Sequence, residues 1–190
     1  MVKASGDRAA EKRERILVAA RRLFLRQGLR ATTMEAIARE AQIAKPTLYT
    51  QFADKHAVFG ALLEQLIAAK HEAFLRALSA EGTISERVGR ALVAKFAVIS
   101  ELLAGSAHAD ELFAAHAEGA DLFARSNRFI AQALGGALAE AGLARPDQLA
   151  GLLLAAAKGV AESGITSERL GDDLMMLTAR LLGPDIAAGG

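Results

Sequence analysis

The chain has 190 residues, 52% of them hydrophobic and 24% charged, enough for a substantial core in one or two globular domains. It has no cysteine, which excludes disulfides, thiol redox sensing and cysteine-ligated metals, and no run of about 18 apolar residues to cross a membrane. The net charge of +1 is unevenly divided: residues 1–55 carry 12 Lys/Arg and 6 Asp/Glu, and residues 56–190 carry 11 and 16, a basic head on an acidic body.

The first residues, Met-Val-Lys-Ala-Ser-Gly-Asp-Arg, contain no apolar signal core, so a cytoplasmic location is expected. Residues 1–8 read as a disordered arm. A first helix follows from Ala9 to Gln27, with Gly28 as its stop. Ile16, Ala20, Leu23 and Phe24 form its buried stripe, and Arg13, Arg15, Arg21, Arg22 and Arg26 decorate the rest.

Residues 32–55 read as two short helices around a tight turn. Met34, Ile37, Ala38 and Ala41 fall at i, i+3, i+4 and i+7, one buried face of a helix. Thr32 with Glu35 is a capping box for its start. Gln42-Ile43-Ala44 is long enough only for a turn. The next helix opens at Lys45-Pro46, where proline costs nothing because a first-turn N–H has no partner anyway. Leu48 and Phe52 point into the core. Pro46, Thr47, Thr50 and Gln51 point away, Tyr49 sits on the flank and Lys45 stands at the start. Such a small, polar, uncharged face suits a helix lying in a DNA major groove, where Lys, Thr and Gln reach base edges and Tyr and Lys reach phosphates. Thr33, near a helix N-terminus, suits a phosphate. The plain alternative is an ordinary surface helix. Asp54 caps a fourth helix, which Lys55 opens.

At Gly28, Ala31-Thr32-Thr33, Ile37-Ala38, Pro46-Thr47-Leu48-Tyr49, Phe52 and Asp54-Lys55 the sequence resembles the TetR (tetracycline-repressor) family, over roughly residues 10 to 65. The resemblance implies an all-α protein: a three-helix helix-turn-helix DNA-binding head, a larger helical body that binds a small molecule and dimerises, and about nine helices in all. It divides the chain into residues 1–53 and 54–190, with helix 54–78 linking the two. Lys55 resembles the family's phosphate-contacting lysine. Two departures stand in the turn, Gln42 where the family usually has Gly and Ala44 where it often has Ser. Gln42 must accept a conformation that Gly takes more easily, and Ala44 offers no side-chain cap.

Beyond Lys55, Val58, Phe59, Leu62, Leu63, Leu66, Ile67 and Phe74 run at helical spacing to Leu78. Thr83 with Glu86 is a second capping box, opening a helix to Leu103 whose stripe is Val88, Leu92, Phe96, Ile99 and Leu103. A short helix is expected from Asp110 to Glu118. A long one follows from Ala120 to Ala141, with Gly142 as its stop and Gly135-Gly136 as a kink, a close helix contact or a weak place. The last two helices run from Arg145 to Ser163 and from Asp172 to Leu182, the latter stopped by Gly183-Pro184. Both are apolar over more than one stripe. Such a terminal pair is most simply buried by a second copy, in a four-helix bundle on a two-fold axis, which makes Leu149, Leu152, Leu153, Ala156, Val160, Leu174, Leu177 and Leu181 the candidate interface.

A ligand site among the helices of the body would be lined by Phe96, Ile99, Leu103, Phe113, Phe123, Phe129 and Met175 or Met176, with Glu101, His116, Arg125, Asn127 and Arg128 as its polar candidates. The ligand is then hydrophobic or amphipathic, and anionic if Arg125 or Arg128 faces inward. His108, Asp110, Glu111 and His116 match no recognised metal-ligand spacing, so neither metal nor cofactor is expected. No Gly-rich phosphate loop, nucleophile motif or zinc-protease helix points to an enzyme. The expectation is a ligand-responsive transcriptional repressor, homodimeric, released from a palindromic DNA operator by a small-molecule effector and not bound to a membrane. The alternatives are a non-specific architectural DNA-binding protein, or a helical small-molecule-binding protein that does not read DNA.

Overall fold

The computed structural model describes residues 3–103, 106–109, 111–112, 120–163 and 167–188. Among them there are eight helices and no strand: α1 Lys3–Ala31, α2 Met34–Glu40, α3 Lys45–Tyr49, α4 Lys55–Leu78, α5 Ile84–Leu103, α6 Ala120–Glu140, α7 Pro146–Glu162 and α8 Ser167–Ala188. The short helix expected over 110–118 lies almost wholly outside the described residues. Two compact units are made, one by the described residues of Met1–Gln65 and Leu103–Ala120, the other by those of Leu66–Leu102 and Asp121–Gly190.

In the first unit the α1 stripe does what its spacing predicts. Ile16, Ala20, Leu23 and Phe24 are buried, and they meet Ile37 of α2, Leu48 of α3 and Val58 and Phe59 of α4. Phe24 and Phe59 pack edge to face, with ring centroids 5.7 Å apart. Helicity breaks at Gly28, which takes φ 79° and ψ 167°, a region that is essentially closed to residues with a Cβ. A side chain there would also collide with the Glu111 carboxylate. Residues 106–112 fasten onto this end of α1: the Arg30 N–H donates to Glu111 Oε1 at 2.7 Å, the Ser106 hydroxyl donates to the Leu25 carbonyl at 2.9 Å, and Leu112 joins the core.

Two expectations in this unit are corrected. Helix α1 is helical from Lys3, where an arm was expected up to residue 8. Ala, Lys and Arg are good helix formers, and extending an existing helix costs far less than nucleating one. The cap of α2 is Thr33, one residue later than the Thr32 box predicts. Its hydroxyl oxygen accepts from the Ala36 N–H at 3.1 Å. Thr32 is fully buried instead and donates to the Gly28 carbonyl at 2.7 Å, which closes the gap that the break at Gly28 leaves.

In the second unit Phe74 and Leu78 of α4 pack with Val88 and Leu92 of α5, Ile130, Leu134 and Leu138 of α6, Leu153 of α7 and Leu174 and Leu182 of α8. The Thr83–Glu86 box closes reciprocally: Thr83 N–H donates to Glu86 Oε2 at 2.9 Å, and Glu86 N–H to Thr83 Oγ1 at 3.3 Å. These bonds, the backbone one foremost, hold the Glu86 carboxyl below its ordinary pKa. Gly135 is a place of close contact: a Cβ there would stand 2.6 Å from Asp147 Oδ1 at the start of α7, whereas Gly136 faces open space. Helix α8 departs from expectation at both ends, starting at Ser167 and running through Gly183-Pro184. Leu170 packs on the core and extends the stripe backwards, and Leu182 anchors the other end. A proline so near a C-terminus forfeits one backbone bond at most, so it does not stop the helix.

Candidate nucleic-acid interface

Helix α3 is only five residues long and owes its position to tertiary packing. Leu48 is fully buried and Phe52 nearly so, which fixes the helix on the core by one face. The Arg13 guanidinium lies 4.5 Å from the Phe52 ring centroid and covers that side chain from α1. Ile43 packs against the same core at the corner. What remains outward is the expected face: Lys45, Pro46, Tyr49 and Thr50 are exposed, and Thr47 and Gln51 are half-buried at its margin. Thr50 Oγ1 donates to the Thr47 carbonyl at 2.7 Å, which ties two residues of this outward face together.

The turn before α3 shows both departures in structural form. Gln42 has φ 54°, the left-handed region, and Ala44 stands at the N-cap with no side-chain bond. The compensation comes from α1, where Arg15 Nη2 donates to the Ala41 carbonyl at 2.6 Å and to the Gln42 carbonyl at 3.1 Å. These are the carbonyls a helix C-terminus leaves unpaired, and a cation is well placed there.

The basic residues of the face are already engaged. Lys45 forms an ion pair with Glu35 of α2 and lies 5.8 Å from the Tyr49 ring centroid. The hydrogen bond from Lys45 pulls the Glu35 carboxyl below its ordinary pKa, and the same bond raises the Lys45 ammonium. Such an exposed pair opens at little cost when a phosphate competes for the lysine. Lys55 is held more firmly. Its ammonium donates to the carbonyls of Leu29 at 2.9 Å, Arg30 at 2.9 Å and Thr32 at 3.1 Å, which uses all three of its protons on the junction between α1 and α2. Thr33 is exposed at that junction.

Residues 16–62 match the protein-family model of the bacterial regulatory proteins, tetR family. The chain carries a TetR-family amino-terminal domain. Its fold is that of TetR-family transcriptional regulators. A putative TetR-family regulator from Mesorhizobium loti aligns with 93% of this chain and 97% of its own at 21% identity and a TM-score of 0.68. A transcriptional regulator from Rhodococcus aligns with 92% and 97%, at 21% and 0.68. SmeT, the repressor of the multidrug efflux pump SmeDEF of Stenotrophomonas maltophilia, aligns with 88% of each chain at 21% and 0.66, and its structure with triclosan has a TM-score of 0.64 at 20% identity. No curated protein matches the sequence.

The TetR-type head thus gathers Thr33, Lys45, Pro46, Thr47, Tyr49, Thr50, Gln51 and Lys55 around α2 and α3, with Lys55 turned to the backbone. The candidates elsewhere divide. Of the ligand set, Phe96 and Phe123 are half-buried and Asn127 is exposed, as are Arg125, Arg128 and Phe129, so neither arginine faces inward. Phe113 and His116 lie outside the described residues, as do the side chains of Ile99, Glu101 and Leu103. His108 faces Glu111 at 3.7 Å. Of the dimer set, Leu153 and Leu174 are enclosed in the core of their own protomer. Leu149, Ala156, Val160 and Leu177 are half-buried, and Leu152 and Leu181 are exposed, with Met176 beside them 60% exposed.

Sequence reasoning passed over two lysines. Lys70 on α4 is 3% exposed. Its Nζ lies 5.6 Å from the Phe123 ring centroid. Lys95 on α5 places its Nζ 3.9 Å from the Phe96 ring centroid. The signal was present in the spacing: Lys70 is three residues after Ile67 and four before Phe74, and Lys95 is three after Leu92 and four before Ile99, so each stands inside an apolar stripe. Among the described residues no three metal-binding side chains gather, and no helix is long and apolar enough to cross a membrane.

Proposed function

We propose that this protein is a homodimeric transcriptional repressor of the cytoplasm that reads a palindromic DNA operator and leaves it when a small hydrophobic or amphipathic molecule binds the second unit. The observation that carries the reading is α3: a helix anchored by fully buried Leu48 that presents Lys45, Pro46, Thr47, Thr50 and Gln51 on a TetR-type head. In this reading those residues meet base edges, while Tyr49 and Thr33 meet phosphates. Lys55 contributes by holding the α1–α2 junction on which Thr33 sits. The outer apolar row of α7 and α8 (Leu149, Leu152, Ala156, Val160, Leu177 and Leu181) is covered by the same row of a second copy. A two-fold dimer then sets two reading helices at a fixed spacing, and a ligand that favours another spacing releases the DNA. The repressor role of SmeT and its complex with triclosan support this reading by analogy of fold.

The test is fluorescence anisotropy on the duplex upstream of the protein's own coding region against a shuffled duplex of equal composition, at two salt concentrations. The expected result is tight binding to the native duplex alone, with two protomers per site. Thr47→Ala relaxes discrimination at particular bases by about 1–3 kcal/mol. Equal binding to both duplexes replaces the reading with a non-specific architectural role. A folded dimer that binds neither is a small-molecule-binding protein that does not read DNA.

A further inference from the structure

The ion pair at the edge of the α3 face joins the two helices of the motif. Glu35 stands in the first turn of α2 and Lys45 opens α3, so the pair spans the turn between them. Both helices are fixed beneath it: Ile37 of α2 and Leu48 of α3 are fully buried, and Arg15 braces the turn. The backbone under Lys45 is therefore set, and only its long side chain is left to be ordered. Lysine has among the largest side-chain entropies to lose, so its point of contact is ordinarily diffuse. Here two groups confine it. The Glu35 carboxylate bonds the ammonium, and the Tyr49 ring centroid lies 5.8 Å from it. The Lys45–Glu35 hydrogen bond lowers the pKa of the carboxyl and raises that of the ammonium, so both stay charged at neutral pH. The pair is open to solvent all the same, with the side chain of Lys45 52% and that of Glu35 57% exposed. Lys55 makes the contrast, because its three protons all go to backbone carbonyls of the α1–α2 junction. An ammonium carries three protons, and one carboxylate oxygen engages one of them.

We propose that Glu35 is a positioning residue that turns Lys45 from a phosphate binder into a reader of guanine. The inference rests on the reading of α3 as the helix that enters the major groove, and it specifies the base. With Glu35 kept as its partner, the ammonium offers its other protons to the groove from a fixed point. Guanine presents two neighbouring acceptors there, N7 and O6. Adenine sets a donor beside its N7, and thymine offers one acceptor beside a methyl group. A phosphate gains less from the same lysine. An ammonium that leaves Glu35 for a phosphate gives up its partner, and the bared carboxylate repels the DNA backbone. The pair thereby favours base contact over backbone contact, which is discrimination by penalising the wrong complex.

The test selects a preferred duplex from a random-sequence library with the full chain. Anisotropy is then measured on that duplex, on a shuffled one, and on copies in which each guanine in turn is 7-deazaguanine, which lacks the N7 acceptor. Salt is varied throughout. One such copy is expected to weaken binding of the native protein about threefold or more and to leave that of Lys45→Met unaffected. Glu35→Gln, a change of nearly equal size at an exposed position, tightens binding to the shuffled duplex about threefold and steepens its salt slope by up to about one. The ratio of selected to shuffled affinity falls with it. In the Lys45→Met background the same change moves both duplexes by one factor and leaves the ratio alone. A carboxylate that merely repels DNA would leave the ratio alone in both backgrounds. One that merely supports the fold would lower the Tm and move neither slope nor ratio. An unchanged ratio in Glu35→Gln, or no guanine whose N7 depends on Lys45, overturns the proposal and leaves the regulator standing. A library that yields no preferred duplex removes the regulator reading, and the positioning role with it.

Discussion

Helices α2 and α6 end in the same hydrogen-bond pattern and meet it with different residues. After α2, Ile43 N–H donates to the Ala38 carbonyl at 3.0 Å and Gln42 N–H to the Arg39 carbonyl at 3.1 Å. After α6, Leu143 N–H donates to the Leu138 carbonyl at 3.1 Å and Gly142 N–H to the Ala139 carbonyl at 2.9 Å. Each turn needs one left-handed residue, and each tucks the next apolar side chain, Ile43 or Leu143, against its core. At α6 the left-handed residue is Gly142, φ 76°, and the turn closes without help. At α2 it is Gln42, φ 54°, and Arg15 reaches from α1 to bond the carbonyls of Ala41 and Gln42. A turn that lacks its glycine is thus held from outside, and the rigidity of the corner before α3 depends on a residue 27 positions away.

The comparison breaks most strongly at the brace. Arg15→Met should lower stability by about 1.5 kcal/mol, the lower end for hydrogen bonds to a charged donor, since the site is partly exposed. Urea unfolding reads this, and the variant should also lose operator discrimination; an unchanged midpoint would show that Gln42 needs no brace. Next in size is Gly142→Gln, which puts the α2 residue into the α6 turn without a brace. The left-handed penalty predicts a loss of about 1 kcal/mol in the same assay, and a smaller loss than that of Arg15→Met. The smallest effect is Gln42→Gly, which relieves the strain but loosens the unfolded chain. The net is a gain of about 0.5 kcal/mol, visible as a small rise in Tm, and it should grow when combined with Arg15→Met. Additive behaviour of those two substitutions would mean that brace and strain are unconnected.

Much of the fold was legible because its determinants are local. The break at Gly28, the turn at Gly142, the Thr83–Glu86 box, the Asp54 cap, whose Oδ1 accepts from Ala57 N–H at 2.8 Å, and the anchoring of α3 by Leu48 all follow from residues within one or two turns. What escaped was decided elsewhere. Thr32 and Thr33 are equally good caps by type, and only the break at Gly28 decides that Thr32 turns inward. The Arg15 brace joins residues far apart in sequence, so no local pattern shows it. Lys55 was legible as an important cation, but its three carbonyl acceptors become visible only when the end of α1 folds back over the start of α4. Lys70 and Lys95 sat in plain view as interruptions of apolar stripes, hidden by the general rule that lysines belong to water.

Tyr49 has an optical consequence. It is the chain's single tyrosine, there is no tryptophan, and it stands 45% exposed on α3 with Lys45 beside its ring. The intrinsic near-ultraviolet emission of the whole protein therefore originates, apart from the weak phenylalanine contribution, at the helix assigned to reading DNA. The unlabelled, unaltered molecule carries its own probe, and any change in that emission on adding a duplex reports the surroundings of α3 itself.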